Sequence, residues 1–294
     1  MLEINILKLA LGTASFGMDY GLFNSSGQLK LQQVKRILEL AKTRSIKTLD
    51  TASSYGKSEN ILGQIEVSDW DIITKVSPVP NGILSVYDWI VSEVEKSLSR
   101  LRVTNIHGLL LHKTSDLKQN YGKEIWSALE HLKKSGIVQK IGYSIYETSE
   151  LDDFWSNFKP DIVQAPLNII DRRMIQSGWL RKLYKEGCET HVRSIFLQGL
   201  LLADRAMIPN YFKTWNNIWD NYHDWLLDVG LSPLEACLAF ATSQNEISKV
   251  IVGVNNLSQV EEILNLRYRK AYNLPDKLFS VDKNLLNPSL WRLK

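Results

Sequence analysis

The sequence predicts an α/β fold of one particular kind: a (β/α)8 TIM barrel, a parallel eight-stranded closed sheet with outer helices, formed by a single domain over residues 1–294. Two observations carry this. Short apolar runs alternate with amphipathic stretches through eight rounds, and eight strand–helix pairs joined by right-handed crossovers close into one barrel. The competing open, doubly wound sheet would show Gly-x-Gly-x-x-Gly after a strand. No run here is followed by it.

The expected strands are Ile6–Gly12, Ile46–Asp50, Asp71–Lys75, Ile106–His112, Val138–Tyr143, Asp161–Pro166, Glu189–Ser194 and Lys249–Gly253. Each is a short apolar run bounded by polar residues, Gly or Pro. Ile6–Gly12 reads as a first strand and not as a signal peptide, because Glu3 stands where a basic segment belongs and Lys8 interrupts the run. The expected helices are Gln32–Thr43, Ser58–Ile65, Leu84–Leu101, Glu124–Ser135, Ser149–Asn157, Ser177–Glu186, Ser232–Ser243 and Ser258–Leu266. Ser232-Pro233 supplies a cap and then a proline at the first helical position. Ser135-Gly136 and Glu186-Gly187 place glycine at helix ends. Two segments exceed ordinary connections, a long loop over 203–230 and a C-terminal tail over 271–294. The first carries Tyr211, Phe212, Trp215, Trp219, Tyr222 and Trp225. These aromatics argue against disorder and are expected either to cover the barrel rim or to meet substrate or cofactor.

Composition excludes several classes. The chain has 294 residues, 44% hydrophobic and 23% charged, so it is neither disordered nor of low complexity. A net charge of +3, from 35 basic and 32 acidic residues, gives no basic face for nucleic acid. No stretch approaches the roughly 20 apolar residues of a membrane span. Cys188 and Cys237 make no metal-ligand spacing, and a chain this size needs no disulfide. They read as filler in a protein of the reducing cytoplasm.

In such barrels the reacting groups stand at the C-terminal ends of strands. Strand two ends in Asp50, strand three in Lys75 and strand four in His112, and the loop after strand two adds Tyr55. Alternation puts Thr48 with Asp50, Ile73 with Lys75, and Gly108 and Leu110 with His112. A buried strand end tolerates a bare Asp or Lys only where the two neutralise each other. Together the four form a general-acid set. An adjacent ammonium should lower the phenol pKa from its usual value near 10, and a neutral histidine should orient a carbonyl oxygen. Such a set suits proton donation to a carbonyl oxygen while hydride reaches its carbon. Blander readings stand beside this one: a structural Asp50–Lys75 pair, an ordinary loop tyrosine, a satisfied core histidine. His107 should face the helices, Glu59 should serve helix entry, and Arg172-Arg173 reads as a solvated loop pair before an anion clamp.

The run Leu49-Asp50-Thr-Ala-Ser-Ser-Tyr55-Gly56-x-Ser58-Glu59-x-x-Leu62-Gly63, then Ile73-Thr74-Lys75, then Leu109-Leu-Leu-His112, resembles the aldo-keto reductases. Order and spacing match from Leu11-Gly12-Thr13 to Gly253. The resemblance implies a barrel that binds NADP(H), or NAD(H), in extended form without a Rossmann domain, and a small-molecule carbonyl substrate. It implies Tyr55 as acid, Lys75 and Asp50 as the pair that tunes it, and His112 as the orienting group. It also implies a cofactor-binding set. Ser144 and Gln164 would reach the carboxamide, with Ile145 standing where the family has asparagine, and Asn168 sits where the family's strand-six motif often ends. Arg193, Ser194, Phe196 and Gly199 fall in the strand-seven motif, with Arg193 in place of a tyrosine that stacks on nicotinamide. Thr13, Gly253, Asn255, Gln259 and Glu262 complete the set, the last four around a helix N-terminus that suits phosphate.

The residues after strand eight, Val254, Asn255, Asn256 and Gln259, are neutral where NADPH-preferring relatives carry Lys or Arg. A weak NADPH preference, or none, is expected. The stretches His191–Leu202 and Pro166–Asp171 resemble members tied to bacterial cell-surface sugar pathways. With Arg193 near the reacting centre, this points to a hydroxylated or anionic carbonyl compound, such as a keto-sugar or its nucleotide-linked form. Two alternatives compete. One is a regulatory module that keeps fold and cofactor but turns over poorly. The other is a phosphate-binding barrel isomerase, which needs a carboxylate on strand six or seven, where Gln164 and Arg193 stand instead.

Overall fold

The computed structural model describes residues 2–3, 5–268 and 273–293; the ends of the expected tail, 271, 272 and 294, lie outside the described residues. Eight parallel strands form a closed barrel: Leu9–Gly12, Thr48–Asp50, Asp71–Val76, Ile106–Leu111, Val138–Ser144, Ile162–Pro166, Glu189–Arg193 and Lys249–Gly253. We call them strands one to eight. Strand eight pairs back onto strand one from Leu9–Val250 to Gly12–Gly253, which closes the ring.

Period-two alternation sorts the side chains. Leu9, Leu11, Leu49, Ile72, Leu109, Ile141 and Val163 belong to the large outer core under the helices. Ile73, Leu110 and Ile162 make a separate small core inside the barrel. Gly108 is what lets them meet: a Cβ there would sit 2.6 Å from Ile73 Cδ1 and 2.9 Å from Ile162 Cδ1. Below them, Lys140 pairs with Glu189, which His191 Nε2 also meets at 3.2 Å. His107 lies on the other face and bonds Gln139.

The first expected strand is too long at its start. Ile6–Lys8 is a 3-10 turn, and Lys8 Nζ donates to the carbonyls of Thr242 (3.3 Å) and Gln244 (2.7 Å) at the end of helix Pro233–Ser243. A cation is favoured against those free carbonyls and disfavoured inside a barrel. Leu2–Glu3 pairs antiparallel with Arg267–Tyr268, a contact with no local signal. Helix Pro233–Ser243 carries the expected cap, with Ser232 Oγ accepting from Glu235 N and Glu235 Oε2 accepting from Ser232 N.

The segment 203–230 is not an extended loop. Turns at Arg205–Met207 and Asn210–Trp215 lead into a helix, Asn216–Val229. Trp219, Tyr222, Trp225 and Leu226 are its buried side. The Phe212 ring meets Trp291 edge-on at 4.7 Å, and Trp215 Nε1 donates to Asp282 at 3.0 Å, so the C-terminal segment packs against this region. The expectation that these rings face substrate or cofactor is therefore corrected: they form their own core. Arg172 and Arg173 are also neither solvated nor an anion clamp. Arg172 donates to the carbonyls of Pro275 and Asp276, and Arg173 makes a two-pronged bond to Asp171 at 2.8 Å and reaches Glu147 at 2.9 Å. Glu59, buried in the first turn of helix Ser58–Ile65, does not serve helix entry alone. It accepts from Thr74 Oγ1 at 2.6 Å and Arg100 Nε at 2.7 Å, tying that helix to strand three and to helix Val86–Leu101. Among the described residues, no single helix is long and apolar enough to cross a membrane.

Candidate active site

Asp50 closes strand two, and the chain beyond it keeps pairing with strand three. Thr51 N donates to Ile73 O at 2.8 Å and Ser53 N to Lys75 O at 3.1 Å. A tight turn follows, with Tyr55 N on Ala52 O and Ser58 N on Tyr55 O, both at 3.0 Å. This turn sets Tyr55 above the end of strand three.

Lys75 is 1% exposed, and its ammonium is spent on protein atoms: Asp50 Oδ1 at 2.7 Å and Thr51 O at 2.9 Å. Its Nζ also lies 5.1 Å from the centre of the Tyr55 ring. Asp50 Oδ2 accepts from Gln164 Nε2 at 2.6 Å, a bond across the barrel from strand six. The Tyr55 and His112 rings stand edge to face at 5.8 Å. Thus Asp50, Tyr55, Lys75 and His112 gather on one rim, with Lys75 as the buried floor.

Electrostatics corrects one expectation and agrees with another. The Tyr55 phenol is not lowered; desolvation raises it, the Asp50 carboxylate adds to that, and Arg193 opposes. Burial disfavours the phenolate, and the Asp50 carboxylate beside it adds to that against the pull of Arg193. Burial pushes the Lys75 ammonium down, against the pull of Asp50. Burial, then Lys75, pushes His112 down to about 4, so the imidazole is neutral at neutral pH. Ser54 Oγ lies 3.1 Å from His112 Nδ1. With that hydroxyl donating to Nδ1, the ring proton sits on Nε2, free to donate.

The rim opens into a cavity of about 650 Å³. Asp50, Tyr55 and His112 line it, as do Thr13, Ser144, Gln164, Arg193, Ser194, Phe196, Gly199, Gly253, Asn255, Gln259 and Glu262. Asn168 lies outside: its amide bonds Ser194 O at 3.0 Å and accepts from Ile170 N and Asp171 N, fixing the turn after strand six. Beyond strand seven, Ser194 and Gln198 hold positive φ (59° and 54°) in the cavity wall, with Leu197 (47°) between them. Strained non-glycine backbone of this kind gathers at functional sites.

Three lining aromatics escaped sequence reasoning: Tyr20, Phe23 and Tyr146. Tyr146 was within reach of alternation, since Ser144 points inward. Its ring packs under Arg193, whose Cζ lies 4.1 Å from the ring centre. Tyr20 and Phe23 sit in an irregular segment after strand one with no periodic signal; burial near Tyr55 raises the Tyr20 phenol to about 12.

A closed parallel barrel with Asp, Tyr, Lys and His at the C-terminal rim of a long cavity defines a class of oxidoreductases. The sequence profile of the Aldo/keto reductase family matches residues 8–280, and the chain belongs to that family. Uncharacterized oxidoreductase YtbE of Bacillus subtilis (strain 168) is 28% identical over 216 residues, covering 67% of this chain and 74% of that protein. A probable voltage-gated potassium channel subunit beta of Arabidopsis thaliana is 22% identical over 294 residues, covering 86% and 87%. The solved aldo-keto reductase AKR11C1 from Bacillus halodurans, in its holo form, superposes with a TM-score of 0.70 at 20% identity, over 90% of this chain and 88% of that one.

The family works with nicotinamide cofactors, and this cavity fits one. Gln164 Oε1 is buried and unpaired while its Nε2 is held by Asp50, so an acceptor waits for an amide N–H. Beyond strand eight, the N-terminus of helix Leu257–Asn265 borders the cavity, with Asn256 capping Gln259 N at 2.9 Å and Gln259 Oε1 accepting from Asn255 N at 2.8 Å.

Proposed function

We propose that this enzyme reduces an aldehyde or ketone to an alcohol with NAD(P)H, and that Tyr55 donates the proton. The observation that carries the reading is the Asp50–Lys75 pair at 2.7 Å beneath Tyr55 and His112 on the wall of one cavity. When bound, such a cofactor would supply hydride to the carbonyl carbon. Tyr55, protonated because desolvation and Asp50 disfavour phenolate, gives its proton to the carbonyl oxygen. His112, neutral with a pKa near about 4, donates from Nε2 to that oxygen and aligns it. Lys75 offsets the charge that develops on the phenol oxygen as its proton leaves. Ser144 and Gln164 would hold the carboxamide, and Thr13, Ser194, Phe196, Gly199, Gly253, Asn255, Gln259 and Glu262, which line the same cavity, would hold the rest of the cofactor. The complete four-residue set favours turnover over a silent regulatory module.

The substrate we infer is hydroxylated or anionic, such as a keto-sugar or its nucleotide-linked form. Arg193 supports this: it lines the cavity, and among the described residues its guanidinium hydrogen-bonds neutral groups, Ile145 O at 3.0 Å and Ser194 Oγ at 3.2 Å. An apolar substrate would leave that charge without compensation. Arg172 and the aromatic segment lend no support, since both are occupied elsewhere. Rates of NADH and NADPH oxidation with keto-sugars, short aldehydes and aromatic aldehydes test the reading. Fast reduction of aromatic aldehydes, with keto-sugars inert and Arg193→Ala harmless, would sink the substrate assignment in favour of a general aldehyde reductase.

A further inference from the structure

We propose that Arg193 makes the site select the redox state of its cofactor, holding reduced NAD(P)H far more tightly than oxidised NAD(P)+. This rests on the reading that the cavity takes a nicotinamide cofactor with its reacting ring beside Tyr55.

The argument is a charge balance. Among the described residues lining the cavity, the charged side chains are Asp50, Arg193, Asp204 and Glu262. Asp50 is cancelled by Lys75, and His112 is neutral at physiological pH because burial and Lys75 disfavour its cation. Asp204 belongs to the segment past strand seven and Glu262 to the helix past strand eight. Arg193 therefore stands as the uncompensated charge at the reacting rim. Among the described residues it forms no ion pair; it hydrogen-bonds a carbonyl and a hydroxyl, and it lies over the Tyr146 ring.

Arginine cannot shed its charge. Nor can this one move away easily: two hydrogen bonds and the ring hold it, and Tyr146 is itself fixed through its N–H to Glu150 Oε1 at 2.8 Å. The field of Arg193 reaches the whole rim. It opposes protonation of His112 and Lys75 and favours phenolate at Tyr55 and Tyr20.

A dihydronicotinamide ring is neutral, and an oxidised nicotinamide ring carries one positive charge. Placed at this rim, the oxidised ring meets a fixed like charge in a partly desolvated site, and the reduced ring does not. The consequence is a site that fills with reduced cofactor even against an excess of the oxidised form and releases the oxidised form readily. By linkage, each tenfold of preference raises the potential of the bound two-electron couple by about 30 mV. An anionic substrate resting on Arg193 would cancel the guanidinium, so substrate binding would also ease the charge that hydride loss leaves behind.

The test is a binding titration. NADH and NADPH are titrated by fluorescence onto the wild-type protein, and NAD+ and NADP+ by displacement, then repeated with Arg193→Gln and Arg193→Lys. The expected result is a reduced form about 30-fold or more tighter than the oxidised form in the wild type, since a fixed like charge at the same partly desolvated rim interacts appreciably at protein dielectric. Arg193→Gln should shrink that ratio by about tenfold, mainly through tighter oxidised cofactor, and Arg193→Lys should largely keep it. Equal affinities for the two redox states in the wild type, a measurement needing no variant, overturn the proposal. So does an unchanged ratio in a folded Arg193→Gln. Failure of all four cofactors to bind would overturn the nicotinamide reading as well, and is distinguished by the absence of any signal.

Discussion

Gly17 lies directly against Tyr55: a Cβ at position 17 would fall 1.9 Å from the Tyr55 carbonyl oxygen and 2.2 Å from Ser58 N. The contact is reciprocal, since a Cβ on Gly56 would fall 2.4 Å from Gly17 O, which accepts from Lys57 N at 3.1 Å. The turn that presents Tyr55, the proposed acid, is seated on bare backbone of the segment after strand one. Gly17→Ala should displace this turn and lower turnover about tenfold or more, with an overpacking cost of about 1–3 kcal/mol. Steady-state kinetics with a thermal melt checks this; wild-type turnover would show that the seat does not position Tyr55.

Tyr55→Phe keeps the ring and removes the proton. Turnover should fall about 100- to 10,000-fold, the usual range for a positioned acid, while cofactor affinity stays within about twofold. A variant retaining a third of the wild-type rate would remove Tyr55 from that role.

Lys75→Met should cost stability as well as rate. It strands Asp50 in the barrel with only Gln164 as partner, and breaking a buried pair from one side costs about 3–5 kcal/mol. Denaturant unfolding should show a fall of that order. A stability unchanged within error would mean that Asp50 takes up a proton at no cost.

The pH dependence follows from two groups. His112 has a folded value of about 4 against an ordinary 6.5. The unfolded chain thus binds its proton first as pH falls. The stability that a neutral His112 contributes is complete above about 6.5 and is lost as pH drops toward about 4. His112→Gln should flatten the melting temperature across that window; an equal slope in both proteins would contradict the burial of the ring. The raised Tyr55 phenol should keep the reduction rate level from neutral pH to about 9, since no phenolate forms below its usual range.

Cofactor choice should be nearly balanced. Asn255 and Gln259 offer neutral amides, and Gln259 is already bonded to Asn255 N, so a 2′-phosphate gains no charge-assisted bond from them. Paired NADH and NADPH titrations should agree within about tenfold. A hundredfold tighter NADPH would require a cation such as Arg267 or Arg269; Arg269 lies outside the described residues.

The barrel was legible in sequence because each strand is a compact apolar run and its last residue stands out chemically. Asp50, Lys75 and His112 are all polar groups ending buried runs. What escaped was set by contacts distant in sequence. Lys8 leaves the strand for carbonyls more than two hundred positions away. The helix Asn216–Val229 did carry a helical spacing in Trp219, Tyr222 and Trp225, but bulky rings with modest helix propensity masked it. The phenol of Tyr55 was misjudged because desolvation of the ring, with Asp50 adding to it, outweighs the neighbouring cation, and spacing alone does not give burial.

The bond from Gln164 to Asp50 joins strands two and six, which face each other across the ring. Asp50, Tyr55, Lys75 and His112 all arise before residue 113, in the first half of the barrel, while Ser144, Arg193 and the wall beyond strand seven belong to the second half. On the proposed reading one half holds what reacts and the other most of what is held, and beside the strand ladders that close the ring an amide links the two across its middle. Divergence can rework the receiving half and change the diet of the enzyme, so long as position 164 keeps a donor for the carboxylate opposite.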